Sequence, residues 1–187
     1  IASRGLSFFE LKYMCLLQME LELQADKQQL HDKFYTLQTP RDIADLLEID
    51  YSRLVYHLYI VPKEERYTTF RLRKRNGGER EINAPTTALK LLQRKLAYVL
   101  QQVYKPKAPT HGFVAEKSIL TNARMHCRKR YILNLDLFDF FPSITFKRVR
   151  GLFKAIPYER NHQVATWLAH ICCWNGGLPQ GAPTSPI

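Results

Sequence analysis

The sequence of 187 residues has no long apolar run and only four cysteines. None of its apolar stretches approaches the ~20 residues that a helix needs to cross a bilayer. Its start, IASRGLSFFELKYMCLL, lacks the basic head, apolar block and small-residue cleavage site of a secretory signal. Cys15, Cys127, Cys172 and Cys173 form no Cys-x-x-Cys pair, and the adjacent Cys172 and Cys173 are awkward disulfide partners. We therefore expect a reduced, cytoplasmic chain with no membrane partner.

Acidic residues become scarce after residue 50. The first 50 residues carry 5 Lys/Arg and 9 Asp/Glu, a balance of −4, whereas residues 51–187 carry 23 Lys/Arg and 8 Asp/Glu, a balance of +15. A hydrophobic content of 45% is typical of a folded globular protein, so the positive charge belongs to a folded surface. The last three quarters of the chain are therefore expected to face a polyanion. The alternative is a basic surface that only keeps the protein soluble, and the clustering of the cations argues against it.

The first 60 residues are predicted to be helical. Residues 6–30 have apolar positions at roughly helical spacing. A second helix is expected at TPRD, because Thr39 can cap it, Pro40 suits its first turn and Asp42 suits its positive end. With the following YSRLVYHLYI, it resembles a helix-turn-helix over residues 41–59. The first helix of this pair is acidic, which ill suits DNA, so two ordinary packed helices are favoured.

The stretch RYTTFRLRKRNGGEREINAP predicts a basic β-hairpin. Strands are expected at Tyr67–Arg73 and about Glu79–Asn83, joined by NGG, whose residues accept positive φ. The hairpin is either a solvated edge protected by charge or a finger that holds phosphates, and the second interpretation is favoured. Its basic residues are Arg71, Arg73, Lys74, Arg75 and Arg80.

Four more helices are predicted after the hairpin. The clearest covers residues 86–104 and has one apolar face. Ser118 is expected to cap a helix in SILTNARMHCRKR, and Thr145 another in FKRVRGLFKAI. The last is expected over about residues 158–174, where NGG is a fitting stop.

The run YILNLDL predicts a central strand covered on both faces. Asp136 stands at its end, where a carboxylate is costly unless a cation meets it. A magnesium ion that brings in a nucleotide and a cap or salt bridge to an Arg explain this carboxylate about equally well from spacing alone. Asp139 follows three residues later, and the rings of Phe140 and Phe141 either join the core or stack under a sugar.

Three stretches, in order across about residues 66–186, resemble the motifs of reverse transcriptases. FRLRKRNGGEREINAP resembles their basic fingers hairpin, LNLDLFDFFPSI their first catalytic motif, and LPQGAPTSP the next palm motif with its Gln-Gly pair. NARMH is similar to the Asn-Ala-x-x-His pattern of retron reverse transcriptases, and HGFV and HICCWNGGLPQGAPTSP resemble that family too. The chain is thus identified, by resemblance, as a bacterial retron-type reverse transcriptase.

The resemblance implies an α+β right-hand polymerase with fingers, palm and thumb. We expect an N-terminal helical region at 1–62, fingers with the basic hairpin and helices at 63–130, and the start of the palm at 131–187, with the palm sheet incomplete in this chain. The family implies two Mg²⁺ ions that assist nucleotidyl transfer from dNTPs. It also implies a noncoding RNA that serves as template and primer, its cDNA, and an effector protein in phage defence as partners.

The resemblance also implies roles for single residues. Asp136 would be the catalytic ligand of both Mg²⁺ ions, the carbonyl of Leu137 would complete one of them, and Phe141 would reject a ribose 2′-OH. Asn122 and His126, four apart on one helix face, would be a structural or RNA-contact pair, with a buried hydrogen-bonded pair as the alternative. The nucleotide-binding set would be Arg80, one of Arg73 or Lys74, Asp139 under the triphosphate, Gln180 and Gly181; the expected RNA contacts include Arg124, Arg128, Lys129 and Arg130.

The sequence departs from the family pattern in one respect. Members have a second acidic pair in a Tyr/Phe-x-Asp-Asp turn, but no Asp follows Asp139 here. We therefore expect a fragment of fingers and early palm without a thumb, inactive alone, and magnesium-dependent extension by the 187-residue chain would contradict this. The alternatives are another bacterial reverse transcriptase of intron or defence type and a non-catalytic nucleic-acid-binding protein, in which Asp136→Ala leaves function intact. A purely structural protein is the least favoured.

Overall fold

The computed structural model describes residue 21 and residues 23–73 and 77–187. Residues 6–20 of the predicted first helix lie outside this range. The expectation that one helix continues to residue 30 is wrong, because a new helix, α1 (Lys27–Thr36), begins after Asp26. The Asp26 side chain accepts from the backbone N–H of Gln29, and the Gln29 side chain accepts from the N–H of Asp26, which fixes a helix start here.

The acidic region forms two short packed helices, α2 (Pro40–Leu46) and α3 (Tyr51–Val55). A π-helical turn at Tyr56–Ile60 and a 3₁₀ turn at Lys63–Glu65 follow. Thr39 caps α2 with Asp42 as its reciprocal partner, as predicted. The inner side chains of this region are buried, so it is built as a packed helix pair, the favoured interpretation; they are Ile43, Leu46, Leu47, Leu54 and Leu58.

The predicted hairpin is confirmed as two antiparallel strands, β1 (Tyr67–Arg73) and β2 (Glu79–Pro85). Their register runs from Tyr67 opposite Pro85 to Arg73 opposite Glu79. Gly77 has φ +84° at the turn, a conformation that glycine adopts without a steric cost. Most of the hairpin is exposed, and Tyr67 at its base is buried, so the hairpin projects from the core as an arm.

The long helix α4 (Thr87–Val103) confirms the prediction for residues 86–104 and forms the centre of the core. Gln93 is fully buried on it, and its Nε2 donates to the hydroxyl of Tyr67 (2.7 Å) and to the carbonyl of Ile171 (2.8 Å). The base of the hairpin and a later helix are therefore fixed to α4 through one amide. The apolar face is the predicted one, with Leu89, Leu92, Leu96, Val99, Leu100 and Val103 all buried.

Four helices follow: α5 (Ile119–His126), α6 (Phe140–Ser143), α7 (Phe146–Lys154) and α8 (His162–Cys172). Ser118 caps α5 through a hydrogen bond from the N–H of Thr121, as predicted. The last helix starts later than expected, because Asn161 accepts from the N–H of Val164 and caps it there. Helix α8 packs on α7, α2 and α4.

The central strand predicted for YILNLDL is wrong for this structure. Residues 131–137 have no regular secondary structure, and their side chains are exposed, with Leu133 at 81% and Leu135 at 80%. A strand needs neighbouring strands to satisfy its backbone hydrogen bonds. Within the described residues the sheet contains β1 and β2 alone, and neither pairs with this segment. An apolar run without strand partners therefore stays open.

One core joins the expected N-terminal, middle and C-terminal regions. Arg160, which precedes α8, is buried and reaches the carboxyl end of α1. Its Nη1 donates to the carbonyls of Phe34 (3.1 Å), Tyr35 (2.8 Å) and Leu37 (3.4 Å). These carbonyls lie at a helix end, where the helix itself supplies no partner, so one guanidinium completes the hydrogen bonding of α1.

The three cysteines within the described ranges, Cys127, Cys172 and Cys173, are free thiols. Burial raises the pKa of Cys173 to about 12 and that of Cys172 further still. A thiol with a raised pKa is a poor nucleophile, so these two side chains act as small core residues. No helix in the part of the chain that the structure describes is long and apolar enough to cross a membrane.

Candidate nucleotide-binding site

A cavity of about 710 Å³ lies between the returning strand of the hairpin, the segment around Asp136 and the loop that follows α8. These three walls come from parts of the chain that are far apart in sequence. The cavity therefore collects the three motifs singled out in the sequence. Its lining residues are Glu79, Arg80, Glu81, Asn83, Leu135, Asp136, Leu137, Phe138, Asp139, Phe140, Phe141, Pro142, Leu178 and Gln180.

Asp136 is exposed on the cavity wall, and Leu137 stands next to it. Among the described residues, no Arg, Lys or His nitrogen lies within 4.0 Å of the Asp136 carboxylate. The salt-bridge interpretation left open by the sequence is therefore not what the structure contains. The carboxylate is free to receive a cation from solution.

The backbone turns sharply at Asp139, which has φ +46° and ψ +39°. Asp tolerates this left-handed conformation better than most residues. The turn starts α6, in which the N–H of Ser143 donates to the Asp139 carbonyl (3.0 Å). It also places the rings of Phe140 and Phe141 edge to face, 5.5 Å apart, against the cavity. Phe141 is the more buried ring, which suits a fixed wall.

Strand β2 is fastened to the Gln180 loop, which closes the cavity on that side. The N–H of Asn83 donates to the carbonyl of Gln180 (2.9 Å). Gly181 has φ +111°, and a Cβ at that position would meet Cγ2 of Ile82 at 3.0 Å. A side chain at residue 181 would therefore be strained by the positive φ and would crowd Ile82. Gly181 thus supports the wall and does not line it.

The structure does not bring every predicted nucleotide-binding residue to the cavity. Arg80 lines it, but Arg73 is exposed at the end of β1 and is not part of its lining. Lys74 lies outside the described residues. Arg71 forms an exposed pair with Glu79 (3.4 Å), which has little energetic weight in water.

Helix α5 carries the predicted RNA-contact residues away from the core. Asn122 and His126 are both exposed, so the alternative of a buried hydrogen-bonded pair is wrong for this structure. Four cations on α5 and directly after it are exposed as well, which leaves them available to phosphates: Arg124, Arg128, Lys129 and Arg130.

Several lining residues were not found from the sequence. Asn83 is the clearest, since its side chain is held by the hydroxyl of Thr69 (2.8 Å) and its backbone by Gln180. Glu79 and Glu81 add carboxylates to the hairpin wall. The strand alternation of β2 puts residues 79, 81 and 83 on one face, a signal that could have found this group.

The cavity supplies some, but not all, of the oxygen ligands that a magnesium ion needs. A carboxylate at Asp136 and a carbonyl at Leu137 are the hard ligands that Mg²⁺ takes, and Mg²⁺ commonly completes its shell with water and substrate phosphates. No cluster of three or more His, Cys, Asp or Glu side chains able to hold a metal is found among residues 21, 23–73 and 77–187. Asp136 and Leu137 would therefore hold the ion together with other donors.

Residues 72–187 match the family model described as reverse transcriptase (RNA-dependent DNA polymerase). The chain belongs to the reverse transcriptase family. The matched range contains strand β2, Asp136 and the Gln180 loop, so the three walls of the cavity all come from the part of the chain that matches the family.

Retron reverse transcriptases are among the similar proteins, which confirms the recognition made from the sequence. The chain is 38% identical over 168 residues to the retron Mx65 reverse transcriptase of Myxococcus xanthus, covering 79% of this chain and 39% of that protein. It is 37% identical over 134 residues to the retron Ec86 reverse transcriptase of Escherichia coli, covering 69% of this chain and 40% of that protein. The chain thus spans about two fifths of the length of the curated relatives that it matches.

Proposed function

We propose that this chain is the fingers and early palm portion of a retron-type RNA-directed DNA polymerase. The observation that carries the proposal is the cavity in which Asp136, Arg80 and Gln180 meet from three separate motifs. An exposed carboxylate without a cationic neighbour, in the same cavity as an arginine of the basic arm, suits a metal-bound triphosphate.

Different groups of the cavity are proposed to bind different parts of the nucleotide. Arg80 holds the triphosphate by charge-assisted hydrogen bonds, and the backbone N–H groups beside Asp139 bind it from below. Phe141 forms the wall next to the sugar, where a ring excludes a 2′-OH. Magnesium, when bound at Asp136 and Leu137, supplies positive charge to the transferring phosphate. The fixed β2–Gln180 contact keeps these groups oriented before the nucleotide arrives, which lowers the cost of reorganisation.

The proposed substrates are dNTPs and a noncoding RNA that serves as template and primer, and the product is cDNA made in the bacterial cytoplasm. The exposed cations after α5 support RNA contact, because they face solvent with no described carboxylate beside them. Named relatives are retron reverse transcriptases, and by that likeness we assign the chain to a retron. We further propose that this retron acts in phage defence with an effector protein.

Primer extension on an RNA template with Mg²⁺ and dNTPs tests the proposal. It uses a full-length polymerase that contains this chain, and its Asp136→Ala variant, because the 187-residue chain alone is expected to be inactive. We expect extension by the wild type and a loss on the order of 10³-fold in the variant, because a preorganised charge partner of the reacting phosphate is removed. Asp45→Ala, which removes an exposed carboxylate from α2, is the matched control and should extend normally. Equal extension by wild type and Asp136→Ala would refute the assignment.

A further inference from the structure

Helix α7 carries a basic face that the proposed site does not use. Between residues 140 and 158 the sequence has no acidic residue, while α7 contains Lys147, Arg148, Arg150 and Lys154. Lys147, Arg148 and Lys154 are exposed, and within the described ranges none of them has a carboxylate within 4.0 Å. The opposite face packs into the core through Val149 and Phe153.

A glycine stands at the centre of this face. Gly151 is four residues after Lys147, three after Arg148 and three before Lys154, so all four share one side of the helix. Glycine inside a helix is less stable than alanine, and it normally has a packing reason. None exists among the described residues, because a Cβ at residue 151 would meet nothing within 4 Å. The glycine therefore suits a ligand that approaches from outside.

The start of α7 is also linked to the wall of the cavity. Pro142 lines the cavity, and α7 begins four residues later at Phe146. The connection is held on both sides of Thr145: the N–H of Leu178, another lining residue, donates to the carbonyl of Ile144 (3.1 Å), and the N–H of Phe146 donates to that of Gly176 (2.8 Å). The start of α7 is therefore held close to the cavity wall.

We propose that the exposed face of α7 around Gly151 binds the sugar–phosphate backbone of RNA. Lys147, Arg148 and Lys154 contact phosphates, and the absent side chain at Gly151 lets the strand lie close to the helix. The helix is 9 residues long, about 14 Å at 1.5 Å per residue, which spans two or three phosphates. The inference rests on the proposed function for its choice of RNA, and it adds a contact surface outside the nucleotide cavity.

The salt dependence of RNA binding tests the charge contacts. The probe is a fluorescein-labelled RNA hairpin of arbitrary sequence, titrated at several salt concentrations with wild type and Lys147→Gln/Lys154→Gln. Each lost phosphate contact lowers the slope of log K against log salt by about 0.7–0.9, so we expect the double variant to lose about 1.4–1.8 in slope. Lys27→Gln/Lys33→Gln, two exposed lysines of α1, is the matched control and should keep the wild-type slope.

The role of the glycine is tested with Gly151→Gln, which adds bulk into open space without changing charge. We expect a higher thermal midpoint, by about 2–4 °C, because the helix gains a better helix former. We expect RNA affinity to fall about 10-fold despite this gain. Ala88→Gln, an exposed helical position on α4, should leave RNA affinity unchanged.

The outcomes separate this inference from the proposed function, since RNA binding is measured without polymerisation. Wild-type slope and affinity in both α7 variants would overturn it, even if primer extension succeeds. Weakened binding in both would support it, even if extension fails. A wild-type affinity in Gly151→Gln alone would overturn the close approach at the glycine. If both α7 variants keep RNA binding but no longer bind a protein that the wild type binds, the RNA assignment would be overturned and this face would be a protein interface.

Discussion

The packed helical body and the open segment that carries Asp136 contain similarly apolar residues, but these side chains are buried in the body and exposed in the segment. Leu96 on α4 has 0% of its surface exposed, whereas Leu135 next to Asp136 has 80% exposed. A helix satisfies its own backbone hydrogen bonds and needs only one apolar face to pack, whereas a strand requires neighbours on its edges. The body therefore packs around one core, whereas the segment has no strand partner among the described residues.

The largest effect is expected from truncating the same side chain in the two regions of the 187-residue chain. Leu96→Ala should lower the free energy of unfolding by about 2–5 kcal/mol, because it leaves a cavity in the core. Leu135→Ala should change it by less than about 0.5 kcal/mol, because the side chain is in solvent. Urea unfolding of both variants measures the contrast.

If both variants lost the same free energy of unfolding, the proposed difference between the regions would be wrong, because the segment would be packed in solution. Leu133→Ala serves as a second exposed control, and it should behave like Leu135→Ala.

Arg80→Ala should separate function from stability on the open side of the molecule. In the intact protein we expect kcat/KM for dNTPs to fall about 10²-fold, equivalent to about 2.7 kcal/mol, because a donor to the triphosphate is lost. The RNA dissociation constant and the unfolding midpoint should stay close to wild type, since Arg80 is exposed. Lys90→Ala on α4 is the control. Equal losses in nucleotide use and RNA binding would show that Arg80 is a general phosphate contact.

Phe141→Ala should alter the choice of sugar by a smaller amount. Removing the ring from the cavity wall should raise ribonucleotide incorporation relative to deoxyribonucleotides about 10-fold, because space opens beside the 2′ position. Competition between the two nucleotide types during primer extension measures the ratio. Phe140→Ala removes the neighbouring ring 5.5 Å away and should leave the ratio unchanged. Unchanged selectivity in Phe141→Ala would remove the ring from its proposed role.

The smallest effect is expected at the surface of the body, where Asp42 is the reciprocal partner of Thr39 in the cap of α2. The N–H groups of Gln38 and Thr39 donate to its carboxylate, both at 2.8 Å, and lower its pKa below the ordinary value of 3.8. A lowered folded-state pKa stabilises the protein above pH 3.8, and this contribution disappears as the pH falls through the folded value. Asp42→Ala should therefore cost less than about 1 kcal/mol at pH 7.

The difference in the free energy of unfolding between wild type and Asp42→Ala should become smaller as the pH of the measurement is lowered. Asp42→Asn keeps an acceptor without a titrating group, and it separates capping from charge. A deficit that stays constant down to pH 2 would show that the carboxylate charge does not matter for this cap.

The contrast between the packed body and the open segment also explains which features could be predicted from the sequence. Helix α4 and the hairpin follow from local signals, namely apolar periodicity and the NGG turn, and both were predicted close to their observed bounds. Asp136 and Gln180 were predicted from their resemblance to family motifs, and both line the cavity, while their roles stay predictions. Asn83 and the supporting role of Gly181 were not predicted, because they depend on contact between residues almost 100 positions apart. Residues 131–137 have no strand partner among the described residues, and a local pattern of β-type residues does not record whether such a partner exists.

The capping of α1 by Arg160 has a consequence for synthesis of the protein. The guanidinium that completes the carboxyl end of α1 belongs to a residue 126 positions after Phe34. At translation rates of about 5–20 residues per second, the ribosome needs roughly 6–25 s to make the intervening chain. During this interval the first described helix emerges without its cap, and the nascent chain presents an amphipathic helix to whatever binds such surfaces at the tunnel exit. Helix α1 is therefore synthesised first, but the hydrogen bonds at its carboxyl end form only after Arg160 has been made.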